Sequence, residues 1–317
     1  MGYIAKRLAI TFLTMFFVSL LTFAAFRLIP GDAALFTLGT DATEEQIAIL
    51  RAEMRLDRSF SEQFFFWLAD FLTGKLGYST RFRGASVSGI IIERLPVTFT
   101  LAGLSFFFIV LISFPLSILT VKKENSILDR AASAFSAIGI SMPGFFLGVL
   151  FIWIFGIFFR LFTPGSYVSY RVNFASFFAY LIFPALAIAI PNAALVSKFL
   201  RSSMQKELKS DYVRSARSKG GSPSLILRKH VLKNASLPAI TMLGMIAGEI
   251  FSGSVVIEQV FSIPGIGRLL ISSIEGRDYI VLQSLIVYVA FIVILANTLA
   301  DIILQIIDPR IRLAEKI

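Results

Sequence analysis

At 317 residues, with 56% hydrophobic and only 16% charged side chains, the chain carries more apolar surface than a soluble core could hide; soluble domains average about 25% charged. The composition indicates a helical integral membrane protein in a lipid bilayer, and the net charge of +10 reads as the Lys/Arg excess of cytoplasmic loops, with no nucleic acid implied as a partner. Without cysteine and with one histidine, His230, disulfides, thiolate metal sites, cysteine nucleophiles and a His-rich metal site are excluded.

Leu8 to Phe26 is an uncharged apolar run behind Lys6 and Arg7. It is longer than the ~7–15-residue apolar part of a signal peptide, so residues 1–30 are expected to form an uncleaved first span with a cytoplasmic N-terminus. Pro30-Gly31-Asp32 breaks it, and residues 31–93 form a polar extracytoplasmic region. There Thr43-Glu44-Glu45-Gln46 reads as a capping box, followed by Ile47, Leu50 and Met54 on one helical face. Gln63 to Leu72 is a short aromatic-rich helix, suited to the membrane interface, to a small packed subdomain, or to both. Residues 94–307 hold five further spans. Val97–Val121 is the second, and Ala131–Phe159 the third, which Met142-Pro143-Gly144 should kink or interrupt. Val172–Ser197 is the fourth, with Pro184 and Pro191 inside it. Asn234–Ile257 is the fifth and Tyr279–Ile307 the sixth, followed by a cytoplasmic tail, 308–317. Gly144/Gly148 and Gly244/Gly248 are GxxxG pairs that permit close helix contact.

Between the fourth and fifth spans, Lys198 to Lys233 holds ten Lys or Arg against Glu207 and Asp211, which assigns it to the cytoplasm. Asp211, Tyr212, Val213, Arg214, Ala216 and Lys219 read as a helix that Gly220-Gly221 stops, because glycine adopts the left-handed conformation without steric cost. Ser222 and Pro223 then cap and open a second short helix. The result is a compact helical hook.

No P-loop, HExxH, GxSxG or catalytic carboxylate pair occurs, so the chain is not expected to be an enzyme, and any ATP it uses must be bound by another chain. Glu249 and Asp301 are the ionisable residues expected at membrane depth, where a charge costs at least ~2.5–3.5 kcal/mol and so faces a cavity or a partner. For Glu249 the two readings are a translocation path and polar packing against a neighbouring helix; for Asp301 a basic partner is expected. Asn192 and Asn297 read as helix–helix hydrogen bonds, and His230 as an interfacial side chain rather than a ligand.

Asp211-Tyr-Val-Arg-Ser-Ala-Arg-Ser-Lys-Gly220 and His230-Val-Leu-Lys-Asn-Ala-Ser-Leu-Pro238 resemble the cytoplasmic EAA loop of permease subunits of binding-protein-dependent ABC importers, in the dipeptide/oligopeptide/nickel branch. Further landmarks run in order along the chain: Leu28 to Asp32, Leu56 to Arg58, Leu76 to Ser79, Glu93 to Thr98, Ser141 to Phe145, Glu258 to Gly267 and Asp308 to Arg310. Arg55 and Lys75 depart from the branch, where glycine and aspartate are common. The resemblance implies an all-α, six-span type I ABC importer fold with an extracytoplasmic region between helices 1 and 2, in a prokaryotic cell membrane. It implies a second permease chain, a paralogue, two ATPase subunits holding ATP and Mg, and an extracytoplasmic solute-binding protein. Di- or oligopeptides are the implied substrate, with nickel complexes or oligosaccharides as alternatives. An ion-gradient-driven secondary transporter is the competing class, one in which a docking hook has no purpose. Within the coupling loop, 198–236, the resemblance makes Ser222 to Lys229 a coupling helix. Within the hook the resemblance implies that Gly220-Gly221 set the turn, Leu225, Ile226 and Leu227 offer apolar contacts to an ATPase groove, and Arg228 and Lys229 meet acidic residues at its rim.

Overall fold

A computed structural model describes residues 2–28, 43–53, 55–82 and 84–307. Pro30-Gly31-Asp32, Met54 and the tail from Asp308 lie outside the described residues, as do the side chains of Ile47 and Leu50. Every regular element among the described residues is helical, apart from one isolated antiparallel bridge, Tyr78–Ser86. In chain order the helices are α1 (Gly2–Arg27), α2 (Glu44–Glu53), α3 (Phe60–Leu72), α4 (Val87–Lys122), α5 (Ile127–Ser141) and α6 (Gly144–Phe151), which continues as a π-helix, Ile152–Phe158. Then come α7 (Phe174–Glu207), α8 (Asp211–Ser218), α9 (Pro223–Ile226) with a π-helical turn Leu227–Val231, α10 (Leu232–Val260), α11 (Ile266–Glu275) and α12 (Tyr279–Ile307).

Five of these stretches are long and apolar enough to cross a membrane, and α5 with α6 supplies a sixth, bent by 104° at the break. The partners along α7 show that the bent pair advances through the membrane and does not turn back. Asp129 meets Arg201, Gly139 lies against Ala194 and Gly144 against Ala187, and Phe151 and Phe155 meet Phe183. From Arg201 to Phe183 a helix rises ~27 Å, close to the ~30 Å hydrocarbon thickness. Met142-Pro143-Gly144 thus interrupts the third span as expected: Met142 and Pro143 leave the helical region, at ψ 121 and ψ 141.

Three helix boundaries differ from the sequence reading. Helix α4 starts at Val87, capped by Ser86, and continues through Pro96; the uncharged run marks only the part that can face lipid. Helix α7 runs on to Glu207, past the apolar stretch. The helix opened by Pro223 does not end before the fifth span but passes without interruption into α10.

The ends of the spans sort into two sides. Arg7 pairs with Asp301 and Thr11 with Thr298, so α1 and α12 run antiparallel, and the expected basic partner of Asp301 is Arg7. Ser117 Oγ donates to the Ser197 carbonyl at 3.1 Å, placing the end of α4 beside that of α7. Glycines 244 and 248 bring α10 onto α12: a Cβ there would lie 2.9 Å from Ala300 and 2.3 Å from Asn297. Asn192, by contrast, donates within its own helix to Ile188 at 2.9 Å and links no helices, because its residue-188 carbonyl is one turn away. The segments 208–222 and 123–126 and the start of α1 therefore share one side, called here the hook side.

At the opposite side, Thr43 and Gln46 form the expected capping box through reciprocal bonds of 3.0 and 3.3 Å. The aromatic helix α3 packs Phe60, Phe64 and Trp67 around Phe23 of α1 and Phe71 against Tyr288 and Phe291 of α12, while Phe65 and Leu72 stay exposed. Arg55 holds φ +57, the conformation glycine takes most readily, and its guanidinium stacks 4.2 Å over Phe66. Glu258, fully buried, accepts from Thr98 Oγ1 at 2.7 Å and from the Arg268 N–H at 3.1 Å; Thr98 in turn accepts from the Ile266 N–H at 2.9 Å. Two sequence landmarks, Glu93–Thr98 and Glu258–Gly267, meet here.

A Cβ on Gly267 would lie 2.4 Å from the Val255 backbone and 3.0 Å from Glu258, whereas Gly103 has open space around it. We expect Gly267→Ala to destabilise the protein by about 1–3 kcal/mol, as overpacking does, and Gly103→Ala to be neutral or better. The thermal midpoint of the detergent-solubilised protein, followed by fluorescence-detected size exclusion, measures both.

Candidate functional site

The hook is built from backbone rules. Gly220 takes φ +80, and the N–H groups of Gly220 and Gly221 bond to the carbonyls of Arg217 (2.9 Å) and Ala216 (3.1 Å), the paired bonds of a Schellman ending. Gly221 is required for a different reason: a Cβ there would sit 3.0 Å from the Ala216 carbonyl and 3.2 Å from Ile226. Ser222 then caps α9 by accepting from the Leu225 N–H at 3.4 Å, with Pro223 in the first turn. The chain reverses at the glycines and enters α9, the π-helical turn and α10 in a single helical path.

Side chains divide the hook into an inner and an outer face. Val213, Ile226, Leu227 and Val231 are buried in the protein's own core. Leu225 is 53% exposed, and Asp211, Tyr212, Arg214, Lys219, Ser222, Arg228, Lys229 and His230 are exposed, with Ala216 between. The expectation that Leu225, Ile226 and Leu227 form one outward apolar surface is therefore corrected: three consecutive helical residues point in different directions, and only Leu225 points out. Arg214 pairs with Asp211 at 3.4 Å, whereas Arg217, Lys219, Arg228 and Lys229 have no ion-pair partner among the described residues. Tyr212 braces the hook to both neighbouring spans. Its hydroxyl donates to Glu207 at the end of α7 at 2.5 Å and engages Asn234 at the start of α10; burial and then the Glu207 carboxylate push its pKa up.

Beside the hook, Asp129 of α5, 5% exposed, pairs with Arg201 of α7 at 2.8 Å and accepts from the Asn125 N–H at 3.0 Å. This link escaped the sequence reading; its one signal is the Ser126-x-x-Asp129 spacing of a helix start, where Ser126 accepts from the Asp129 N–H. Glu258 and Asp278 escaped it too. Asp278, fully buried, accepts from Ser79 at 2.5 Å and ties the segment before α4 to α12.

Glu249 points out of the chain. It is exposed and has no hydrogen-bond or ion-pair partner among the described residues. It lines a groove of about 450 Å³ between α10 and α12 that also holds Thr241, Ser252, Asn297 and the Arg7–Asp301 pair. No group of three or more His, Cys, Asp or Glu that could hold a metal ion occurs among the described residues.

Residues 113–313 match the family model described as "Binding-protein-dependent transport system inner membrane component", and residues 1–102 match the model for the N-terminal part of such membrane components. A probable peptide ABC transporter permease protein of Sinorhizobium fredii is 36% identical over 310 residues, covering 98% of this chain and 99% of the relative. The dipeptide transport system permease protein DppB of Lactococcus lactis is 32% identical over 311 residues, 98% of this chain and 99% of the relative. Among solved structures, a chain of the MetNI methionine ABC transporter in an inward-facing conformation superposes with a TM-score of 0.57 at 18% identity. The match covers 69% of this chain and 96% of that one, and is a likeness of fold.

A β-branched residue at φ +80 is a conformational outlier costing of order 1–3 kcal/mol. Gly220→Val should therefore loosen the turn locally. In hydrogen–deuterium exchange, residues 211–231 should lose protection while α4 and α12 keep theirs.

Proposed function

Because the chain belongs to the family of binding-protein-dependent transport system inner membrane components, and so is a permease subunit of an ABC importer, we propose that it forms half of a peptide translocation pathway switched through the hook of its 198–236 loop. The hook side is the cytoplasmic side, with both termini on it. Lys6, Arg7, Lys122, Lys123 and the basic residues of the hook gather there, as the positive-inside rule requires. The membrane is the plasma membrane of a prokaryote, in keeping with the bacterial relatives. A second permease chain, a paralogue, completes the pathway, and an extracytoplasmic binding protein delivers substrate to the side of α2, α3 and α11. Two ATPase subunits, holding ATP and Mg, dock beneath the hooks.

The observation that carries this reading is Leu225, an exposed leucine on a compact hook, followed by Arg228 and Lys229, which have no ion-pair partner among the described residues, and joined without a break to α10. A positive-inside loop needs none of that construction. Leu225 enters an apolar groove on the ATPase, Arg228 and Lys229 meet acidic groups at its rim, and Ile226, Leu227 and Val231 fix the hook to the permease's own core. Movement of the ATPases is then delivered to α10, and through Tyr212 to α7. Peptide as substrate is supported by the names of the relatives, which extend over nearly their whole lengths.

Two measurements test the reading. Uptake of labelled di- and tripeptides by the complex reconstituted with its cognate binding protein should be ATP-dependent; uptake of nickel chelates or oligosaccharides in their place would overturn the substrate. Leu225→Asp should weaken recovery of the ATPase on the purified permease about tenfold, equivalent to ~1.4 kcal/mol, with permease yield unchanged. Leu227→Asp, in the core, should lower permease yield itself.

A further inference from the structure

The exposed surfaces of the spans differ in chemistry. On α1 the outward residues include Leu8, Phe12, Leu13, Phe17 and Leu21, and on α12 Leu295, Leu299, Ile303 and Ile306, all apolar and suited to acyl chains. The outward ridge of α10 is different: Thr241, Met245, Glu249, Ser252 and Val256, at helical spacing, are all exposed. A carboxylate between hydroxyl groups at membrane depth is costly against lipid and is found facing water-filled cavities or partners.

The groove beside this ridge has an uncompensated charge. Arg7 and Asp301 neutralise each other, which leaves the Glu249 carboxylate without a counter-charge among the described residues. Asn297 sits against Gly248, at the level of Glu249, and Asp301 is one turn of α12 towards the hook side. The carboxylate and the ion pair are thus separated by ~6 Å along the helix axis. Within that pair, Arg7 Nε is buried and makes no hydrogen bond. The groove therefore presents an anion beside a neutralised ion pair, in a volume of about 450 Å³ that falls within the ~300–1,000 Å³ of small-molecule sites.

We propose that this groove lies on the translocation pathway and is a subsite for the free α-ammonium group of a passing peptide. Glu249 is its counter-charge, and Asn297 and Thr241 supply polar groups along the same groove. The inference rests on the peptide-permease reading and adds a selectivity for free amino termini that belongs to this chain, not to the binding protein.

The test uses the complex reconstituted with its binding protein and a tripeptide supplied free or N-acetylated at the amino terminus. Binding-protein preference enters equally for the unmodified permease and its variants, so a change in the free-to-blocked uptake ratio isolates the permease. Glu249→Gln should lower that ratio about tenfold, and Glu249→Asp should keep it. Because the chain has no cysteine, Glu249→Cys gives an independent readout: a water-soluble thiol reagent should modify it, free tripeptide should slow the reaction, and Leu299→Cys on the lipid face should stay unmodified. An unchanged ratio in Glu249→Gln, or a Glu249→Cys as unreactive as Leu299→Cys, overturns the proposal. So does loss of the second permease chain on purification of Glu249→Gln with the ratio intact, which would make Glu249 an interface residue. Failure of the unmodified complex to take up any peptide would instead sink the peptide reading itself.

Discussion

Helix α7 is packed against α4, α5, α6 and α10, and its close approach to the third span depends on small inner positions at mid-span. Ala185, Ala187, Ala189, Ala193 and Ala194 are all fully buried. Opposite them, Gly139 approaches so closely that a Cβ would lie 2.7 Å from Ala194, and at Gly144 one would lie 3.1 Å from the Ala187 carbonyl. Between helices in lipid there is little hydrophobic drive, so association depends on this kind of close packing. The interrupted third span follows from the same constraint. A helix broken by Pro143 leaves backbone groups to satisfy and a direction to recover, and its glycines let both halves be read off α7.

The far side is held by a second device, buried carboxylates at helix starts. Helix α11 begins at Gly265, which offers no side-chain cap, so its first N–H groups look elsewhere. Thr98 accepts from Ile266 and Glu258 from Arg268, each reaching over from a different span. Helix α12 is treated alike: Asp278 accepts from the Val281 N–H at 3.3 Å and from Ser79. Each carboxyl group accepts from an N–H that lacks a partner within its own helix, so the arrangement satisfies the carboxyl groups and the helix starts together. The glycines at 265 and 267 leave room for Glu258, which is the physical content of that landmark.

The sequence conveys spans more readily than contacts. Apolar length located all six crossings, and glycine, proline and serine located the Met-Pro-Gly interruption and the Gly-Gly-Ser-Pro punctuation of the hook, because these depend on local rules that hold wherever the segment sits. Boundaries moved where a helix outlasts its apolar run, as at Val87 and Glu207, since lipid exposure and helicity are separate properties. Glu258, Asp278 and the Asp129–Arg201 pair were missed because their partners are distant in sequence; a carboxylate near a span end looks the same whether it faces water or caps a neighbour. Ile226 and Leu227 were misassigned for a related reason. An apolar triplet on a basic hook reads as a docking surface until α8 and the start of α10 are known to cover two of its three members.

Continuity between hook and span changes what the hook can do. A coupling element joined by a flexible loop would dissipate displacement; one joined by helix passes it on. The path from Pro223 to Val260 carries the outward Leu225, the glycines that seat α10 on α12, the Glu249 ridge and, at its far end, Glu258. The path departs from α-helical geometry at the π-helical turn Leu227–Val231 and carries Pro238 about two turns later; both are features at which helices bend. The inward residues of the π-helical turn, Leu227 and Val231, are buried, which anchors the turn in the protein's own core. On the proposed reading, motion entering at Leu225 would reach α10 as a change of tilt, moving the Glu249 ridge relative to α12 while the Glu258 cluster holds the other end. Hinge, lever and anchor would then all lie within one helical path.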